Sequence, residues 1–130
     1  MKYLTVQEIL DLSELACEGR RMGVRDLGLL ESAANRPQSF VFGVEAYAGL
    51  FEKAAALLHG LVANHPFVDG NKRTGWMSAV VFLDVNGADM LEVDQDEAFK
   101  LVMEVAAGAI DEPEAIARRL EALYEAQPRR

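Results

Sequence analysis

A run of ten residues at positions 65–74, HPFVDGNKRT, gathers side chains that together could handle a phosphate ester. His65 is the side-chain type best suited to taking a proton near neutral pH. Lys72 and Arg73 are cationic donors, and an arginine fork can hold two phosphate oxygens at once. A carboxylate such as Asp69 is repelled by a phosphate unless a divalent cation lies between them. Mg²⁺ suits this arrangement, because it binds one or two carboxylates together with substrate phosphates.

The run lies between two apolar helical patterns, so it is expected to be a loop that opens a helix. Pro66 pushes His65 out of helical geometry, and Asn71 is a suitable cap for the following helix. Backbone N–H groups in the first turn of a helix lack partners, and the helix dipole favours an anion there. Gly70 has no Cβ, so the chain can turn sharply beside a ligand. The sequence therefore predicts a phosphate-binding loop, with Phe67 as its anchor in the core.

Each residue of the run also has a non-catalytic interpretation. His65 could be a solvent-exposed residue at the end of a helix, Asn71 an ordinary cap, and Lys72 with Arg73 a pair of solvent-exposed cations. The combination of base, metal ligand, turn glycine and cations in one order favours a functional site over these separate roles. His59 precedes His65 by six residues and lies off its helical face, so it is expected to be a packing residue rather than a ligand.

Length and composition limit the class of protein. A chain of 130 residues, 51% hydrophobic, is expected to form a single domain over residues 1–130 with a packed core. The net charge of −8 argues against a general nucleic-acid binder, although a local basic patch is an alternative. The most apolar run, GWMSAVVFLDV, is too short for a membrane span. The single cysteine, Cys17, is expected to be a small buried hydrophobic residue. One cysteine cannot form an internal disulfide, which indicates a reducing compartment. Together these features predict a cytoplasmic protein without membrane or nucleic-acid partners.

The hydrophobic periodicity predicts an all-α fold of six helices. Between the second and third helices, the stretch PQSFVFGV lacks helical period and is expected to be a short extended segment. The helix that follows the 65–74 run is apolar nearly all round and is expected to be central in the core. Helices are predicted over residues 25–35, 45–64 and 71–86. The first helix is expected to begin with a capping box of Thr5 and Glu8, and the last two helices with caps at Asp94 and Asp111. The fifth helix is expected to turn Phe99, Val102, Met103 and Ala106 inward, and Pro113 is expected in the first turn of the sixth.

The string HPFVDGNKRT closely resembles the signature loop of the Fic/Doc (Fido) superfamily, and specifically its Doc (death-on-curing) branch. The stretches YLTVQEIL, GLLESAANRPQ, FEKAAALLHGLVANHPFVDGNKRTGW and FLDVNG are also similar to that branch. The resemblance implies a compact helical domain of the Fido type, in which a central helix hairpin carries the active loop.

Site roles follow from the resemblance by position. It implies that His65 is the general base, that Asp69 is the partner of Mg²⁺, and that Gly70 and Asn71 form the nucleotide-binding loop. It implies that Lys72 and Arg73 contact the phosphates of ATP. A flap before the third helix would pair with an extended segment of the protein target; the residues at that place are Ser39, Phe40, Val41 and Phe42. A connecting loop pinned by its two phenylalanines is the alternative for this segment.

Two departures from the Fic branch bear on the reaction. Fic enzymes have a second glycine where this chain has Lys72 and a further arginine where it has Trp76. A lysine side chain that fills the phosphate-binding part of the loop disfavours the nucleotide orientation from which AMP is transferred. The resemblance therefore implies transfer of the γ-phosphate by a protein kinase. Some Doc members have an asparagine at the position of Met77, so the resemblance does not extend to that part of the nucleotide contact.

The resemblance also implies a biological role. Doc-type proteins are toxins of toxin–antitoxin pairs that phosphorylate a Ser or Thr of elongation factor Tu and arrest translation, and a Phd-type antitoxin restrains them. The alternatives are a nucleotidyltransferase (AMPylator) of the same superfamily and a non-catalytic family member that binds a partner.

Overall fold

The computed structural model describes residues 1–128 and contains six helices, a short 3₁₀ turn and a two-stranded antiparallel hairpin. The fold is therefore mostly helical, as predicted. None of the helices in the described range has the length and hydropathy needed to cross a bilayer. The elements are α1 (Val6–Ala16), α2 (Leu27–Asn35), the 3₁₀ turn (Arg36–Gln38), β1 (Phe40–Val41), β2 (Val44–Glu45), α3 (Leu50–Ala63), α4 (Asn71–Val85), α5 (Gln95–Ala106) and α6 (Pro113–Glu125).

Helix α3 is the centre of the core. It contacts α2, the 3₁₀ turn, α4, α5 and α6, and nearly all of its length from Lys53 to Val62 is buried. Helix α4 was predicted to be central in the core, and it contacts α1, α3 and α5. Its residues 74–83 are buried or half-buried, with Trp76 and Val80 only partly covered, so α4 is less completely enclosed than α3.

The contact between α3 and α4 depends on Gly75. A Cβ built at this position would collide with Cγ2 of Val62, far inside van der Waals contact. The absence of a side chain therefore allows the two helices to approach closely. Since the loop over residues 64–70 joins these helices, their spacing also sets the geometry of the loop.

The predicted helix starts are confirmed at two places. The Thr5 side chain accepts from the Glu8 N–H at 3.1 Å, and the Glu8 carboxylate accepts from the Thr5 N–H at 2.9 Å, which completes a capping box. The backbone hydrogen bond from Thr5 is the main cause that lowers the pKa of Glu8. Asp94 caps α5 by accepting from the Glu97 N–H at 3.0 Å.

Two predictions for the C-terminal helices were wrong in whole or in part. In α5 the inward positions are Ala98, Leu101, Val102 and Val105. Of the predicted inward face, Val102 is confirmed, whereas Phe99 and Met103 are 67% and 41% exposed. In α6 the cap residue is Glu112, without a side-chain cap, and Pro113 occupies the first turn as predicted. Asp111 does not cap α6, because its carboxylate accepts a hydrogen bond from His59 instead.

Candidate active site

The loop over residues 64–70 leaves α3 with an unusual backbone. Asn64 ends the helix, and His65 has a φ of +50°, in the left-handed region that non-glycine residues rarely adopt. Pro66 and Phe67 then return to the core, where Phe67 is 1% exposed, as predicted for an anchor. His65 itself is exposed and lies at the turn between the buried part of α3 and the buried residues Pro66 and Phe67.

A second segment, residues 23–26, holds this loop from outside. Val24 and Phe67 form an antiparallel bridge, and the N–H of Val68 donates to the Gly23 carbonyl at 2.9 Å. The Arg25 side chain donates from Nε to the His65 carbonyl at 2.7 Å and from a terminal nitrogen to the Asn64 carbonyl at 2.9 Å. Helix α2 was predicted from residue 25, but Asp26 is its cap, so Arg25 lies outside the helix and is available for the loop.

Asn71 has a role different from the predicted cap. The cap position of α4 is Gly70, at φ +77°. The Asn71 amide accepts from the Phe67 N–H and donates to the Phe67 carbonyl, both at 3.0 Å. Because both hydrogen bonds go to one residue's backbone, Asn71 closes the loop on itself. Its side chain is buried and used in this contact, and it is a loop former rather than a capping group.

Gly70 is required at the turn for two reasons. Its positive φ strains any residue with a side chain, and a Cβ there would lie 2.6 Å from Sγ of Cys17. Cys17 is 2% exposed, which agrees with the prediction of a small buried hydrophobe. Its neighbour is nevertheless the predicted active loop, so the end of α1 packs directly against the start of α4.

One pocket of about 550 Å³ brings the predicted site residues together. Its lining includes His65, Asp69 and the first three residues of α4, together with the turn that follows α1. Helix α4 starts at this pocket without a side-chain cap. Its first helical hydrogen bond is made by the N–H of Thr74, so the preceding first-turn N–H groups are available to an anion. The lining residues are Cys17, Glu18, Arg20, Met22, His65, Val68, Asp69, Gly70, Asn71, Lys72 and Arg73.

Asp69, one of two acidic residues in the lining of the pocket, makes a hydrogen bond within the loop. One carboxylate oxygen of Asp69, Oδ1, accepts from the Gly70 N–H at 2.8 Å. The other oxygen has no hydrogen-bond partner within residues 1–128. Across the same range, no three His, Cys, Asp or Glu side chains are placed to hold a metal ion by themselves. Its second oxygen leaves Asp69 able to share a cation with a phosphate group, as carboxylates do at Mg²⁺ sites.

The predicted flap residues form a hairpin outside this pocket. Phe40 pairs with Glu45 and Val41 with Val44, and the two turn residues, Phe42 and Gly43, have φ values of +51° and +77°. This is the geometry of a tight hairpin turn that favours Asn and Gly. Phe40 is 64% exposed and Phe42 fully exposed, so the alternative of a loop pinned by its phenylalanines was wrong.

The hairpin is fixed at its base by two charged contacts. Lys53, whose side chain is 3% exposed, donates from Nζ to the Glu45 carboxylate at 2.7 Å and also to the Tyr47 carbonyl. Arg36, just before the hairpin, donates from Nε to the Tyr47 hydroxyl at 2.9 Å, and its guanidinium also lies 5.6 Å from the Tyr47 ring centroid. The strands are exposed, but both ends of the hairpin are held on the core.

His59 belongs to this support, in agreement with its predicted packing role. Its Nδ1 is 2.7 Å from the Arg36 guanidinium, and its Nε2 is 2.9 Å from the Asp111 carboxylate. A guanidinium can only donate, so Nδ1 is the acceptor and Nε2 carries the proton given to Asp111. His59 therefore links the loop before α6 to the 3₁₀ turn before the hairpin, and both of its ring nitrogens are used in these contacts.

An apolar groove of about 380 Å³ lies beside the pocket. Its walls come from α4 and α5 and include Trp76, Phe99 and Met103, and Lys72 and Arg73 belong to both cavities. The exposure of Phe99 and Met103, unexpected from the sequence, is what forms the groove.

Sequence reasoning missed several parts of the site. Arg25, Arg20 and Glu18 lie some 40 or more positions before the loop they reach. The pair Arg20–Arg21 was visible as the end of α1, but nothing local distinguishes an arginine of a pocket from one of a helix end. Their roles depend on the packing of α1 against α4.

Comparison with known proteins agrees with this architecture. The sequence profile described as "Fic/DOC family" matches residues 3–83. "Toxin Doc" of Mycolicibacterium smegmatis (strain ATCC 700084 / mc(2)155) is 46% identical over 111 residues, which cover 85% of this chain and 85% of that protein. "Protein kinase doc" of Escherichia phage P1 is 32% identical over 126 residues, which cover 95% of this chain and 97% of the relative.

Proposed function

The chain belongs to the Fic/DOC family, and from this premise we propose that it is a Doc-type toxin with protein kinase activity. It transfers the γ-phosphate of ATP to a Ser or Thr hydroxyl of a protein target. The names of the two relatives, a toxin and a protein kinase, support this assignment. The proposed target is elongation factor Tu, and the proposed restraint is a Phd-type antitoxin.

The observation that carries the proposal is the meeting of His65, Asp69, Lys72 and Arg73 at the start of α4 in one pocket. Two cationic side chains and the free first-turn N–H groups can bind the phosphates of a nucleotide. Phosphoryl transfer depends mainly on such positioning and charge neutralisation. An exposed imidazole at the edge of the same pocket supplies the remaining requirement, which is a base.

In the proposed reaction, His65 accepts the proton of the target hydroxyl while the hydroxyl oxygen forms a bond to the γ-phosphorus. The bond from that phosphorus to the bridging oxygen of the β-phosphate breaks, and ADP leaves. Lys72, Arg73 and the α4 N–H groups hold the phosphates and offset their charge. Asp69 is the residue that would hold Mg²⁺ beside the phosphates, and the ion would supply further charge neutralisation there. A positioned base contributes about 10²–10⁴ to the rate.

The hairpin of residues 40–45 supports binding of an extended target segment. Its exposed strands offer backbone groups for β-strand addition, in which main-chain hydrogen bonds supply affinity and side chains supply register. Phe42 occupies a left-handed conformation that costs about 1–3 kcal/mol for such a residue. A bulky aromatic side chain kept there, fully exposed, is consistent with contact to a target.

The apolar groove beside the pocket supports the proposed restraint by another chain. Trp76, Phe99 and Met103 provide an apolar floor, and Lys72 and Arg73 provide positive charge at its border. An amphipathic helix with acidic residues matches both properties. A Phd-type helical tail placed there would cover the two cations and block the phosphates.

The test is phosphate labelling of elongation factor Tu with ATP that carries ³²P at either the γ- or the α-position. Label transferred from the γ-position alone supports the kinase, whereas label from the α-position identifies an AMPylator. His65→Ala and Asp69→Ala serve as controls. Absence of label from either position, combined with unchanged toxicity of both variants, would indicate a non-catalytic partner-binding protein and contradict the proposal.

A further inference from the structure

The charge balance of the pocket depends on one residue outside the predicted loop. The charged side chains in its lining are three cations, Arg20, Lys72 and Arg73, and two carboxylates, Glu18 and Asp69. Without Arg20 these formal charges would cancel. The protein as a whole carries a net charge of −8, so its general field repels a nucleotide. Arg20 therefore gives the pocket its surplus of positive charge.

The turn that carries Arg20 is ordered and lies against the active loop. Glu18 and Gly19 both have positive φ, +60° and +82°, and the Gly19 N–H donates to the Glu14 carbonyl at 2.8 Å. The Arg20 N–H donates to the Cys17 carbonyl at 3.1 Å. Since Cys17 packs against Gly70, these bonds fix the backbone of Arg20 relative to the start of α4.

The two adjacent arginines differ in their surroundings. The Arg21 side chain is 3.8 Å from the Glu14 carboxylate and lines a separate cavity beside α1. The Arg20 side chain makes no hydrogen bond or ion pair with any other residue in the described range 1–128. A guanidinium without a protein partner, in the lining of an anion pocket, keeps all its donors available for phosphate oxygens.

We propose that Arg20 is a phosphate-binding residue, which contacts the nucleotide from a second wall while Lys72 and Arg73 bind it from α4. This inference rests on the proposed function, since it names a further contact of the same site. Cations from two elements surround a polyphosphate and offset more of its charge than two neighbouring residues of one helix do.

Isothermal titration calorimetry with Mg·ATP tests the inference, with Arg21→Ala as the matched control. Arg20→Ala is expected to weaken Mg·ATP binding about tenfold or more, as for loss of a hydrogen-bonded charge contact. Arg21→Ala should stay within about twofold of the wild type, because its partner is Glu14. Arg20→Lys should lie between, since it keeps the charge but loses the fork. Binding of adenosine, which has no phosphate, should be the same in all four proteins.

Two results would overturn the inference, and they can be told apart. If Arg20→Ala and Arg21→Ala bind Mg·ATP as the wild type does, Arg20 is not a phosphate contact and the proposed kinase is unaffected. If the wild type itself binds no Mg·ATP, both the Arg20 contact and the proposed function are wrong. Thermal unfolding of each variant, followed by circular dichroism, shows that it is folded.

Discussion

The guanidinium of Arg25 lies across the end of α3, with Nε 2.7 Å from the carbonyl oxygen of His65 and a terminal nitrogen 2.9 Å from that of Asn64. A helix end leaves its last carbonyls without partners, and Arg25 supplies two donors to them. It does so where His65 has a left-handed backbone. The backbone that carries the proposed base is therefore held by a side chain that does not line the pocket.

Arg25→Ala is expected to lower the turnover of target phosphorylation about tenfold while Mg·ATP affinity stays nearly constant, because a misplaced base affects the chemical step. Arg25→Lys should recover little, since an ammonium cannot bridge both carbonyls in the same fork geometry. Steady-state kinetics and calorimetry on the same samples measure the two quantities. An equal loss of turnover and nucleotide affinity would show that Arg25 merely maintains the loop.

His65→Ala should lower the phosphorylation rate by about 10²–10⁴. The side chain is exposed and makes no hydrogen bond within residues 1–128, so the melting temperature should change little. Rapid-quench labelling with γ-³²P-ATP measures the rate, and differential scanning calorimetry measures stability. A variant with wild-type turnover would show that another group takes the proton.

The substitution Phe42→Asn tests the proposed role of Phe42 in target binding separately from its effect on the stability of the hairpin. Asparagine tolerates positive φ better than phenylalanine and is favoured in this turn, so the free energy of unfolding should stay equal or rise. If Phe42 contacts the target, the KM for elongation factor Tu should rise several-fold while Mg·ATP binding is unchanged. Unfolding in urea and steady-state kinetics provide both numbers. An unchanged KM would remove Phe42 from the target-binding surface.

Gly75→Ala should destabilise the protein by about 1–3 kcal/mol, the cost usual for overpacking a core contact. The added methyl group would collide with Val62. A double-mutant cycle with Val62→Ala tests the cause: the pair should cost less than the sum of the single changes, because the smaller residue leaves room for the methyl group. Additive losses would show that the closeness of the two helices is not the source of the effect.

The Glu8 capping box makes a pH-dependent contribution to stability. The pKa of Glu8 is lowered in the folded protein, mainly by the hydrogen bond from the Thr5 N–H. Its contribution is therefore present above the unfolded value of about 4.3 and is lost as the pH falls through the lower, folded value. Glu8→Ala should be less stable than the wild type at neutral pH, and this difference should narrow in acid. Urea unfolding at about pH 7 and about pH 2.5 measures it; an unchanged difference would contradict the assignment.

The sequence predicted those features that depend on neighbouring positions. The caps at Thr5 and Asp94 act within one turn, so their partners are visible three residues away. Asp111 has the same local pattern, but a histidine 52 positions away takes its carboxylate. A local sequence pattern cannot show that a distant residue competes for the Asp111 carboxylate.

The same distinction holds for the site. The loop residues are contiguous, so their combination is recognisable in the order of the amino acids alone. Arg20 and Arg25 reach that loop only because α1 and the segment before α2 pack against it. The inward face of α5 was predicted wrongly for a related reason: Phe99 and Met103 are apolar enough for a core, yet they line a surface groove.

The contacts of Lys53 bear on how a target could bind at the hairpin. Its ammonium group is enclosed by the protein, and its two acceptors, the Glu45 carboxylate and the Tyr47 carbonyl, both belong to the segment over residues 40–47, which contains the hairpin. Moving that segment away would break both contacts of this buried ammonium group, so the contacts oppose such a movement. The hairpin is thus tied to α3 through Lys53. If the hairpin binds the target as proposed, an extended target segment has to match the edge of the hairpin as it stands, and binding favours segments that readily become extended.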